Sequence, residues 1–217
     1  MKLKTQMLTA VACLCIASAA GPSASSQTTN NHAAMPEHSG MHEHMSAGAA
    51  VTMAELESTV TQLTLARHAT EKYLDARVAV AEGYEAIGPY VPGMGYHYVN
   101  TKSSSDFDIE HPPILVYEKD TTAAQGLRLV GVSYLLNAPT GANGQPTTSP
   151  FPPALASWHK HSNICRFPDR SVATNLDASQ CEQRGGAFTA ETQWMIHAWI
   201  WKDSPAGVFS PMNPSVK

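Results

Sequence analysis

The chemistry of this chain rests on imidazole. It holds ten histidines, and four of them fall in strand-like stretches. These are His97 between Tyr96 and Tyr98, the pair in Trp158-His159-Lys160-His161, and His197 in Trp194-Met195-Ile196-His197-Ala198-Trp199. Side chains alternate faces along a strand, so His159 and His161 point the same way, roughly 7 Å apart at about 3.3 Å per residue. Two imidazoles so placed can share one metal ion. The same alternation puts Met195, His197, Trp199 and Trp201 on one face. A lone polar ring among aromatics needs a partner if it is buried, and a metal or an acid would serve. Glu118 ends the apolar run Ile114-Leu115-Val116-Tyr117 and is the candidate carboxylate. The expectation is one site in which His159, His161 and His197 hold a single divalent or copper ion, with Glu118 or His97 completing the shell. Zinc, copper, iron and manganese all accept such a set. Cys165 falls on the same strand face as His161, so a free Cys165 thiol would allow a Cys/His copper site instead.

A second concentration lies upstream. His32, Met35, His38, Met41, His42, His44 and Met45 fall within residues 32–45. Imidazole suits copper and zinc, and thioether suits Cu(I). Residues 21–51 otherwise lack large apolar side chains, which predicts a tail unable to offset the entropy of ordering. It reads as an accessory that captures metal, or as a linker that happens to carry histidines.

The elements that must position the folded site begin at Thr52. Thr52 with Glu55 three residues on reads as a capping box. Apolar residues at helical spacing, from Leu56 through Val60, Leu63, Ala69, Tyr73 and Val80 to Tyr84, predict helix to about Ile87, with a break near His68. Gly88-Pro89 and Val91-Pro92-Gly93 read as turns. Strands are predicted over 96–100, 114–118, 127–136, 157–165 and 193–201, and Ala138 to Pro153 as a long loop. The 127–136 run is apolar enough to be buried on both faces. The fold class is α+β, with an N-terminal helix or helical pair packed on an antiparallel sheet or small β-barrel. Residues 52–217 make a single domain.

The first residues address the chain. Lys2 and Lys4, an apolar run from Met7 to Ala20 and the small residues Ala17-Ser18-Ala19-Ala20-Gly21 predict a secretory signal peptide over 1–20, cleaved after Ala19 or Ala20. The product would be periplasmic or secreted. Cys13 leaves lipidation open. The apolar run is too short to span a membrane, and no later stretch predicts a stable span. Cleavage would leave two cysteines, Cys165 and Cys181. In an oxidising compartment two cysteines usually pair, and a bridge closing this loop stabilises by about 3 kcal/mol. The rival reading makes them metal thiolates. The formal net charge of −4, with no Lys/Arg run, gives no reason to expect nucleic acid as a partner.

Several segments resemble a family of uncharacterised exported bacterial proteins. Gly93-Met94-Gly95-Tyr96-His97-Tyr98-Val99-Asn100 is similar to its M-G-x-H-x-x-N motif, and Trp158-His159-Lys160-His161-Ser162-Asn163-Ile164-Cys165 to W-H-x-H-x-x-L-C. Cys181 with Gly185-Gly186-Ala187-Phe188, Trp194 to Trp199, and Pro205 to Pro214 match its closing motifs. The likeness covers residues 76–214. Pro113 departs from it, standing where the family pattern has Glu. The resemblance implies that the strand histidines, Glu118 and both cysteines belong to one shared pattern, and it brings no activity with it. The H-x-H pair also invites comparison with cupins, but no Glu follows His161 at the short distance that fold uses.

Three functions follow. The first is a metal-binding protein for sequestration, delivery or sensing, its partner the metal ion, any protein partner unknown. The second is a secreted metalloenzyme with Glu118 as general base and an unknown substrate. The third is a disulfide-stabilised domain without metal. No nucleophile motif, phosphate loop or dinucleotide fingerprint is present. Imidazole ligation would weaken as pH falls through about 6.

Overall fold

The computed structural model describes residues 50–103, 107–123 and 125–217. The signal peptide and the His/Met segment lie outside the described residues. Helix α1 (Met53–Thr70) opens with the expected capping box, Thr52 and Glu55 each accepting the other's backbone N–H. Its apolar stripe is only half used. Ala66 and Thr70 are buried, whereas Leu56, Val60 and Leu65 are exposed, so the helix docks through small residues. The break comes just past His68, where a 3₁₀ turn (Glu71–Leu74) leads to α2 (Ala76–Ala81), N-capped by Asp75.

The predicted helix overruns here. Residues 85–87 belong to β1 (Glu85–Val91), which continues through Gly88-Pro89. Two features permit this. β1 is an edge strand, where proline's missing N–H costs no ladder bond, and Gly88 adopts φ +75° while the register slips between Ile87 and Val91. The remaining strands are β2 (Gly95–Val99), β3 (Ile114–Lys119), β4 (Leu127–Leu136), β5 (Ser162–Arg166), β6 (Val172–Ala173), β7 (Ala187–Glu191) and β8 (Trp194–Ala198), with α3 (Ala178–Gln183) before β7.

The main sheet has the order β1-β2-β3-β4-β8, antiparallel throughout and open, so the barrel alternative does not form. A smaller sheet, β6-β5-β7, carries the Cys165–Cys181 disulfide between β5 and α3. β5 is shorter than expected because residues 157–161 leave the ladder, keeping one isolated bridge between His159 and Met195. Among the described residues no helix is long and apolar enough to cross a membrane.

Register decides which side chains meet. Tyr98, Leu115, Val132 and Ala198 follow one another across four strands, and Tyr117, Tyr134 and Ile196 share their face. That face packs on Ala66, Tyr73, Ala76 and Ala79 of the helical segment to form the main core. Buried phenols are tied into it: Tyr117 Oη donates to Tyr73 O at 2.7 Å, and Tyr84 Oη to Pro112 O at 2.7 Å. The opposite face carries the other set: His97 pairs with Val116 and Val116 with Gly131, while Ile114 pairs with Ser133 and Ser133 with His197.

Candidate functional site

All four strand histidines meet on the face turned away from the helices. The ring centroids of His97 and His197 lie 5.4 Å apart, those of His159 and His197 5.4 Å, and those of His159 and His161 5.3 Å. Two strands separate β2 from β8. At about 4.8 Å per strand a flat sheet would hold their backbones roughly 14 Å apart, and the two rings meet across that gap. Small residues make room beneath the rings. A Cβ on Gly131 would meet Ala198 O at 2.8 Å and Trp199 Cε3 at 3.0 Å. Trp199 instead lies over that glycine and stacks on His197 with ring planes 5° apart.

His159 and His161 reach the site without the regular strand that was expected of them. Mutual backbone hydrogen bonds, His159 N to Met195 O at 2.9 Å and Met195 N to His159 O at 2.7 Å, pin the segment alongside β8. His159 therefore shares a face with Met195 and His197, while its neighbour Trp158 turns into the main core and donates to Ser149 Oγ at 2.9 Å.

Hydrogen bonding fixes one nitrogen of each inner ring. His159 Nδ1 lies 3.2 Å from Ser157 O. A carbonyl only accepts, so this nitrogen carries the proton and Nε2 presents a lone pair. His197 Nδ1 lies 3.0 Å from Ser133 Oγ, the hydroxyl of a fully buried serine. Both Nε2 atoms are shielded from solvent and have no hydrogen-bond partner among the described residues. Burial holds all four imidazoles below their ordinary pKa. His97 falls to about 4, lowered further by His161 and His159, and His197 falls well below 6.5. His159 and His161 are lowered in the same direction, again chiefly by burial. At neutral pH the cluster is uncharged.

Glu118 stands apart. Its carboxylate is paired with Lys202 Nζ at 2.6 Å, in a shallow charged cleft with Lys119, Asp120 and Arg128. The charges acting on His97 and His197 come from the other imidazoles alone. Cys165 is joined to Cys181, so the Cys/His copper alternative and the thiolate reading both fall. Trp201 leaves the expected face because β8 ends at Ala198. It turns to the helices, where its Nε1 donates to Thr70 Oγ1 at 3.0 Å under the Arg67 guanidinium. His68 is exposed, and exposed His111 pairs with Asp108. Ser133 was missed in the sequence, although it is the one hydroxyl between the buried Val132 and Tyr134.

Among the described residues no three His, Cys, Asp or Glu side chains stand ready, as placed, to hold a metal ion. Among the described residues the shielded imidazole nitrogens without a partner are His159 Nε2 and His197 Nε2. No family model matches the chain, and no curated protein or solved structure does. Fold and site together define an α+β domain with a neutral imidazole cluster on the outer face of its sheet.

Proposed function

We propose that this chain is an extracytoplasmic metal-binding protein whose folded domain takes one ion, copper or zinc, at the histidine cluster. One observation carries the reading: the Nε2 atoms of His159 and His197 are shielded and unpartnered, on adjacent rings whose Nδ1 atoms are already held. An imidazole held at one nitrogen and bare at the other is the usual arrangement of a metal-ligating histidine, and a shielded polar atom without a partner is costly. His97 and His161 stand beside the pair and would join by turning their rings. Glu118 would stay with Lys202. The His/Met segment at 32–45 would serve as accessory capture. The signal-like N-terminus and the resemblance to exported bacterial proteins support the location.

The test is equilibrium dialysis of the full chain against copper or zinc, with metal counted per chain. H159A and H197A should each bind one equivalent less than the wild type. Equal uptake by all three proteins for both metals, with the variants folded, would leave a disulfide-stabilised domain without a metal role.

A further inference from the structure

Resting on that reading, we infer that the site selects a monovalent ion, Cu(I), over divalent zinc, and that the His159–His197 pair is its primary donor set. The argument is one of charge. Every donor that faces the site is a neutral imidazole. The nearest carboxylate in the sequence pattern, Glu118, is neutralised by Lys202 at 2.6 Å, and the sulfur of Cys165 is committed to Cys181. Among the described residues, an ion entering here therefore meets imidazoles and no carboxylate acting on the cluster. The cost of moving an ion out of water scales with the square of its charge, so a divalent ion costs about four times a monovalent one of equal size. Zinc also prefers four ligands and commonly recruits thiolate or carboxylate. Among the described residues two of the four rings present shielded nitrogens without a hydrogen-bond partner, and such a pair of donors is enough for a soft monovalent ion.

The surroundings agree. The indole of Trp199 lies parallel to the His197 ring at 5.3 Å, placing a polarizable face beside the pair. Met195 is directly paired with His159 and shares the face of His197, which puts a thioether-bearing residue, the type that favours Cu(I), at the edge of the site. Ser133 and Ser157 act as positioning residues. Ser157 O accepts the Nδ1 proton of His159, and Ser133 Oγ lies 3.0 Å from Nδ1 of His197, so each ring is held at that nitrogen.

The experiment competes the full chain against chromogenic chelators, for Cu(I) under anaerobic reducing conditions mild enough to keep the disulfide, and separately for Zn(II). The difference between wild type and H159A isolates the folded site from residues 32–45. We expect H159A to lose one equivalent of Cu(I) and to match the wild type in Zn(II). Loss of one Zn(II) equivalent, with or without loss of Cu(I), overturns the selectivity. Unchanged uptake of both ions overturns the metal reading itself. A second measurement needs no variant: Cu(I) should raise the Tm of the wild-type chain and Zn(II) should not, and a rise with Zn(II) of equal size contradicts the inference. S133A should weaken Cu(I) binding at least tenfold while S133T restores it. Equal affinity in S133A removes the positioning role.

Discussion

Acid should unfold this domain through its imidazoles before its carboxylates. His97 shows the size of the effect. Its pKa falls from 6.5 in the unfolded chain to about 4 in the native one. Between those values the unfolded chain binds a proton that the native chain refuses, so stability rises with pH across the window. The contribution is intact above about pH 6.5 and drains away as the pH falls toward 4. At about 1.4 kcal/mol per unit, His97 alone accounts for about 3 kcal/mol of lost stability. That is a large part of a typical domain's 5–15 kcal/mol. His197, His159 and His161 shift in the same direction, and the four take up protons as a coupled set. Carboxylates held low by their partners, such as Glu82 beside Lys72 and Asp108 beside His111, start below 4.5 and act only at lower pH. Urea denaturation at pH steps from 7.5 to 4, with a chelator present, reads the slope. H97Q should remove the greater part of the His97 share. A wild-type stability that stays flat from pH 7 to 4.5 would refute the buried neutral cluster.

Other expectations follow from single contacts. G131A puts a methyl group against Ala198 O and Trp199 and should cost about 1–3 kcal/mol in chemical denaturation. G186A sets a Cβ against both disulfide sulfurs and should slow oxidative refolding as well as lower stability. Reducing the Cys165–Cys181 bridge, whose cysteines are 16 residues apart, should cost about 3 kcal/mol. Y117F removes the buried bond to Tyr73 O and should cost about 1 kcal/mol or somewhat more. K202A strips the partner from nearly buried Glu118 and should destabilise the domain in chemical denaturation, because the carboxylate is left buried and unpaired.

Much of the fold was legible where period and capping were strong. The Thr52–Glu55 box, the 127–136 strand and the paired cysteines each declare themselves through local chemistry. β1 was not legible, because Gly88-Pro89 reads as a turn unless the segment is known to lie at a sheet edge. β7 and α3 were missed because the short 178–191 stretch has little periodicity and owes its place to the disulfide and to β5. The histidines were found from residue type and alternation, but their meeting depends on strand order and on the bridge that sets His159 beside Met195, which no two-residue period encodes. The pairing of Glu118 with Lys202 was hidden for a related reason. Alternation gives its face, not its partner, and Lys202 arrives from 84 residues away. Ser133 could have been noticed as a hydroxyl in an otherwise apolar run, but only register reveals that His197 lies across from it.

The central claim is tested most directly by long-range ¹H–¹⁵N spectra of the histidine rings in the wild-type chain, recorded before and after one equivalent of Cu(I). The account predicts that His159 and His197 begin as Nδ1–H tautomers, and that both Nε2 resonances shift on addition while the Nδ1 protons remain. Unmoved Nε2 signals at these two rings, with changes confined to residues 32–45, would contradict it.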